Sequence, residues 1–177
     1  MTEKKKVFAV IGSASNNSAN EKLIEQLVTG TEHELHVTVF NGLKTLPHFD
    51  AELSTGKVPA VVAEFRHSIE SADGVIISTP EYIFSIPAGL KNALEWCVAT
   101  TVFSNKPLGI ITASANGLRA HEELQLIMNT IGAKFTAETT LLIQGIRGKS
   151  DASGKINDLK TSESLQTFID AFKRLVG

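Results

Sequence analysis

Three runs of consecutive apolar residues, "VFAVI" at 7–11, "GVIIS" at 74–78 and "LGIIT" at 108–112, constrain the fold of this chain more than any other feature. A strand with one wet face alternates apolar and polar residues. A strand that is apolar at successive positions is covered on both faces, as in a parallel sheet clad by helices. Two further segments, "ELHVTVF" and "FTAETTLLI", do alternate. Leu35, Val37 and Val39 share one face of the first; Phe135, Ala137, Thr139, Leu141 and Ile143 share one face of the second. The expected strands are therefore residues 7–12, 34–40, 74–79, 107–113 and 135–143, with helical stretches between and after them. Two half-exposed edges, strands two and five, around three buried strands give the order 2-1-3-4-5. This is an α/β doubly wound, five-stranded parallel sheet of flavodoxin-like type, with helices on both faces.

The helical stretches carry the 3.6-residue signal. Val58, Val62, Phe65 and Ile69 fall on one stripe, with Pro59 in a first-turn position. Leu124, Ile127, Met128 and Ile131 form another, stopped by Gly132. Leu165, Phe168, Ile169 and Phe172 form the stripe of the last helix. No repeat or linker divides residues 1–177, so one domain is expected. The formal net charge is −2 and the only basic run is Lys4–Lys6, read as a solvated tail, so a nucleic-acid partner has no electrostatic support. Cys97 is the only cysteine, which excludes an intramolecular disulfide and a thiolate metal cluster. No apolar span has transmembrane length, and the expected location is the cytoplasm, with no membrane partner.

Between the first strand and the first helix lies "GSASNNSAN", residues 12–20. In a sheet of this order, ligands bind beyond the carboxyl ends of the strands, where strands one and three diverge. Backbone N–H groups beside a helix N-terminus, interleaved with short hydroxyls, make a cradle for a phosphate. Gly12 allows a close turn, and Ser13, Ser15, Ser18 and Asn20 donate without filling the space. A purely structural reading stays open, because Ser18 with Glu21 forms a capping box. The loop is neither Gly-x-Gly-x-x-Gly nor a Walker-type phosphate loop.

A second stretch, "STPEYIFSIPAGLKNALEW" at 78–96, leaves the other side of the same point. Ser85 is the expected N-cap of a helix that holds Pro87 in its first turn and runs through Trp96. Here the chain resembles the NAD(P)H-dependent FMN reductases of the flavodoxin-like superfamily, which include chromate, quinone and azo-dye reductases. That family's first loop reads Gly-Ser-x-Arg-x-x-Ser-x-Asn, matched by Gly12, Ser13, Ser18 and Asn20. Its second motif reads Thr-Pro-Glu-Tyr-Asn-x-Ser-x-Pro, then Leu-Lys-Asn-Ala and an acidic-Trp pair. Thr79, Pro80, Glu81, Tyr82, Ser85, Pro87, Leu90 to Ala93, Glu95 and Trp96 match it.

The resemblance implies an FMN whose phosphate lies in the first loop, around Gly12, Ser13, Ser15, Ser18, Ala19 and Asn20. Pro80, Glu81, Tyr82, Ile83 and Phe84 would line the ribityl chain and isoalloxazine. A third loop, "TASANGLRA", would meet the other edge of the flavin through Ser114, Asn116 and Gly117. Two positions depart from the family: its phosphate-binding arginine is Ser15 here, and its asparagine after the tyrosine is Ile83. Loss of a charged hydrogen bond worth about 1.5–3 kcal/mol weakens FMN by about ten- to a hundredfold. Loop N–H groups, the helix dipole and Lys22 remain as substitutes. Arg119 and Arg147, at the ligand end, are candidates for the 2′-phosphate of NADPH, with plain surface placement the favoured alternative.

The implied reaction is hydride transfer from NADPH or NADH to flavin N5, then electron transfer to a quinone, azo compound, chromate or free flavin by a ping-pong mechanism. No protein nucleophile is needed. Tyr82 and Phe84 are candidates for shaping the acceptor pocket, and a homodimer or homotetramer is implied by analogy. A flavin-binding electron carrier, or a redox-responsive interaction protein with little turnover, is the rival reading. Other chemistries lack their residues: no Gly-x-Ser-x-Gly elbow, no His-Glu-x-x-His and no metal set, and Ser78 and Thr79 where a phospho-receiver needs aspartate. The tail "GIRGKSDASGKINDLK" reads as a mobile connector before the last helix.

Overall fold

The computed structural model describes residues 3–13, 15–151 and 153–177; Ala14 of the first loop and Ala152 of the tail lie outside the described residues, as do Met1 and Thr2. Five strands, β1 (Lys5–Ile11), β2 (Leu35–Phe40), β3 (Gly74–Thr79), β4 (Leu108–Ser114) and β5 (Thr140–Gln144), pair in parallel in the order β2-β1-β3-β4-β5. Among the described residues six α-helices connect and cover them: α1 (Ala19–Thr31), α2 (Ala51–Thr55), α3 (Ala60–Ser71), α4 (Ala88–Glu95), α5 (Leu118–Thr130) and α6 (Leu159–Val176).

The period-2 geometry of β1 divides the core. Phe8 and Val10 point to one face, where Val62, Phe65 and Ile69 of α3, Leu90 and Ala93 of α4, and Leu124 and Met128 of α5 are buried. Val7, Ala9 and Ile11 point to the other, against Leu23, Ile24 and Leu27 of α1 and Leu165, Phe168, Ile169 and Phe172 of α6. Every residue of β3 is buried, whereas β2 is half exposed, as their patterns require. Ile11 pairs with Ser78, and Thr79 with Thr112, so the carboxyl ends of β1, β3 and β4 finish together.

Four expectations are corrected, and one element is added. The last strand is shorter than 135–143, because Ala137–Thr139 forms a 3-10 turn in which the buried Thr139 hydroxyl accepts from Thr136 N–H at 2.9 Å. Such local side-chain bonds compete with the ladder. Ser85 does not cap α4: Pro87 holds that position, and the Ser85 hydroxyl donates to Glu123 at 2.7 Å. Lys5 and Lys6 belong to β1, with the Lys6 N–H bonded to Asp73 at 2.7 Å, rather than to a solvated tail. A short helix, α2, follows β2, capped by the Asp50 carboxylate. The connector after β5 is built on specific contacts: Gln26 of α1 donates to Gly154 O at 2.8 Å and accepts from Ile156 N–H at 3.1 Å.

Much of the second motif serves the fold. Asn92 and Trp96, one helical turn apart, both donate to Pro47 O, at 2.9 and 2.8 Å, and Asn92 also accepts from Phe49 N–H. They pin the loop after β2 onto α4. Leu90 and Ala93 fill the core, and Lys91 pairs with Glu95 on the outer face.

Candidate active site

A cleft of ≈ 730 Å³ opens where β1, β3 and β4 end, within the range of about 300–1,000 Å³ common for small-molecule sites. Four segments wall it: the first loop with the start of α1, Pro80–Tyr82, Ala113–Ala115, and Gly145–Gly148. Of the sequence candidates, Ser13, Ser15, Ser18, Ala19, Asn20, Pro80, Glu81, Tyr82 and Ser114 line it. Gly12, Ile83, Phe84, Asn116 and Gly117 do not.

Gly12 is a packing glycine beneath the floor. Its N–H donates to Ser78 O at 2.7 Å, and a Cβ would stand 2.6 Å from the Thr79 hydroxyl. Asn20, 2% exposed, staples three elements: its amide donates to Ala113 O at 3.0 Å, and its Oδ1 accepts from the Ser78 hydroxyl at 3.0 Å. Ser18 caps α1, its hydroxyl oxygen accepting from Glu21 N–H at 3.1 Å. The box is only half made, because the Glu21 carboxylate accepts from Asn41 instead. Ser13 Oγ accepts from Ser15 N–H at 3.2 Å and lies 3.4 Å from the Tyr82 hydroxyl. The side chains of Ser15, Asn16 and Asn17, and the N–H groups of Asn16, Asn17 and Ser18, have no hydrogen-bond partner among the described residues. They form a set of free donors at a helix N-terminus.

The second loop is held tightly. Glu81 reaches across the cleft floor to the start of α5 and accepts from the N–H groups of Gly117, Arg119 and Ala120 at 3.1, 2.9 and 3.1 Å. This anchors a carboxylate on the positive end of a helix. In return Glu123 of α5 accepts from the Ser85 hydroxyl and from Ile86 N–H. Between these clamps Tyr82 and Ser85 exchange backbone bonds around a tight hairpin whose tip is Ile83 and Phe84, both at positive φ (52° and 56°). That tip stands out of the cleft, 96% and 72% exposed. Asn116 accepts from Gln144, and Gly117 takes the left-handed conformation that starts α5.

The Gly145–Gly148 wall lay outside the sequence candidates, apart from Arg147 as a nicotinamide-phosphate contact. The signal for it is a cation between two glycines directly past the carboxyl end of the last strand. Lys22 turns away from the cleft to pair with Glu25 at 2.9 Å. Cys97 is buried and its thiol is pushed up to about 12 by burial, against a weaker opposing pull from Arg66, which disfavours the reactive thiolate. Among the described residues no three His, Cys, Asp or Glu side chains gather to hold a metal. No helix among them is long and apolar enough to cross a membrane.

Comparison with known proteins decides among ligands for such a cleft. The profile of the NADPH-dependent FMN reductases matches residues 5–146. The chain belongs to this family. A quinone reductase of Escherichia coli is 29% identical over 99% of this chain and 97% of its own length. The NADH:(hydroxy)cinnamate reductase subunit CrdA of Vibrio ruber is 31% identical over 85% of this chain and 77% of its own. Among solved structures, the flavoenzyme NAD(P)H:(acceptor) oxidoreductase FerB of Paracoccus denitrificans superposes with a TM-score of 0.80 at 28% identity, covering 97% of each chain. As a family member the protein is an oxidoreductase that uses FMN and a reduced nicotinamide. Its cleft fits FMN in kind: N–H and hydroxyl donors without partners among the described residues at one end, and at the other a loop whose one carboxylate is already neutralised by helix N–H groups.

Proposed function

We propose that this FMN reductase reduces a small acceptor of quinone type with electrons from NADH or NADPH, by a ping-pong mechanism. The observation that supports this reading is the contrast within one cleft: unengaged donors on the first loop and a braced wall at Pro80–Tyr82. When bound, FMN supplies the two-electron chemistry that the side chains lack. The first loop would hold the phosphate through Ser13, Ser15, Ser18 and adjacent N–H groups, at the positive end of α1. Ala19 would allow close approach there, and Asn20 would keep α1 in register with β3 and β4. Pro80 and Tyr82 would orient the ring system, with Glu81 fixing their backbone. Ser114, beside Ala115, would approach it from the third loop. Nicotinamide and acceptor would use the same open side in turn, so one product leaves before the second substrate enters.

The exposed Ile83 and Phe84 tip suits a covering surface, and we assign it to a second copy in a homodimer or homotetramer working in the cytoplasm. The same tip also favours the second reading, a flavin-binding carrier with little turnover that docks a redox partner. The test is the visible spectrum of purified protein with added FMN, followed by NAD(P)H oxidation against a benzoquinone. Flavin bands that survive gel filtration, bleaching by NAD(P)H and parallel double-reciprocal lines are expected. Bound flavin without quinone turnover would select the carrier; absence of flavin binding would sink both.

A further inference from the structure

We propose that Arg147 is the cation that neutralises the FMN phosphate in this protein, supplied by the turn after β5. The inference rests on the FMN reading of the cleft. Arg147 is the only cationic residue among those that line it. The one lining carboxylate, Glu81, has both oxygens bonded to the N-terminus of α5, so it leaves the arginine free. Arg147 itself has no ion pair or hydrogen bond among the described residues.

Charge makes the need concrete. A phosphate monoester carries about −1.5 to −2 near neutral pH, and a helix N-terminus offers roughly +0.5. The loop hydroxyls and N–H groups are neutral, Ser15 among them, and Lys22 is paired with Glu25 outside the cleft. About one positive charge is missing from the first-loop wall, and a guanidinium fork is well matched to phosphate oxygens.

The turn that carries Arg147 is built as a fixed platform. Gly145 adopts φ 65°, and its N–H donates to Ala115 O at 3.1 Å, tying the turn to the third loop. Gly148 N–H closes on Gly145 O at 2.9 Å. Ile146 is buried in the core beside α1 and α6. The backbone is therefore held while the arginine side chain stays exposed at the wall of the cleft.

The same guanidinium chemistry suits the 2′-phosphate of NADPH, so the experiment separates the two sources. Apoprotein is titrated with FMN and with riboflavin, which lacks the phosphate, by flavin fluorescence, for wild type, R147A, R147K and S15R/R147A. Expected is a loss of about ten- to a hundredfold in FMN affinity for R147A, unchanged riboflavin affinity, a smaller loss for R147K, and recovery in S15R/R147A. If wild type binds FMN and R147A keeps the same FMN-to-riboflavin ratio, the proposal fails while the flavin reading stands. A shift confined to NADPH-over-NADH preference overturns it in favour of the nicotinamide phosphate. If wild type binds neither flavin, both fall. Unchanged thermal melts of the apoproteins would show that the turn still folds.

Discussion

The two loops that meet at the sheet's switch point are built on opposite terms. In the first, residues 12–20, the side chains of Ser15, Asn16 and Asn17 have no partner among the described residues, and Gly12, Ser13, Ser18 and Asn20 tie the loop to its surroundings. In the second, residues 80–87, two carboxylates fasten the loop to α5 from both directions. A loop whose donors await a ligand contributes affinity and little stability. A loop whose bonds are already made contributes shape, and its disruption unfolds something. Two loops at a similar place in the fold therefore predict different consequences of mutation.

Glu81→Ala tests the contrast most severely. It strands three backbone N–H groups at the start of α5 and frees the loop end at Tyr82. A loss of about 2–3 kcal/mol in urea unfolding is expected, given the worth of hydrogen bonds to charged groups. Glu81→Gln keeps one acceptor oxygen and loses less. Urea midpoints within error of wild type for both variants would show that the loop does not depend on this clamp.

A second pressure on the same clamp is pH. His121 lies in the first turns of α5, with its Nδ1 2.9 Å from the Thr112 hydroxyl, and burial holds its imidazolium below the ordinary imidazole range despite Glu122 beside it. The native state thus resists a proton that the unfolded chain accepts near pH ~6.5. This contribution is full above that pH and is lost as pH falls through the lower native value. Denaturation midpoints should drop between neutral and mildly acidic pH, and drop less in His121→Gln. Equal pH profiles for the two proteins would remove His121 from the account.

How far the sequence revealed these loops follows from what each residue does locally. The sheet order was readable because burial on two faces leaves an unbroken apolar run, as in "GVIIS". The motif at 78–96 was readable as a motif, but not its division of labour: Glu81, Asn92 and Trp96 bond to groups 36 to 49 residues away. Ser85 looked like a cap because local spacing allows it, and a carboxylate 38 residues on claimed its hydroxyl. Arg147 was visible as a cation but not as part of the cleft wall, since only the parallel pairing of β5 with β4 brings its turn beside Ala115.

The tip of the second loop offers a smaller, opposite effect. Ile83 holds φ 52° with its side chain 96% exposed, so it bears left-handed strain and gains no packing in the isolated chain. A β-branched residue is rare there, while asparagine, the residue of the family motif, tolerates it. Ile83→Asn should stabilise the monomer by about 1 kcal/mol. If isoleucine is kept for contact with a second copy, the same change should weaken self-association in sedimentation experiments. Stabilisation without any change in assembly would leave the strained tip to serve the ligand alone.

Ser15→Ala sets the lower bound. Its hydroxyl has no partner among the described residues and its side chain is exposed, so unfolding free energy should stay within about 0.5 kcal/mol of wild type. FMN affinity should fall by no more than about tenfold, the worth of one neutral hydrogen bond. The informative quantity is the pairing of the two results with those for Glu81→Ala. If Ser15→Ala destabilises the apoprotein by more than about 1 kcal/mol, beyond the usual range for a surface site, the first loop is part of the folded framework. The difference between the loops would then be one of degree, and the donors at 15–18 would not be waiting for a phosphate.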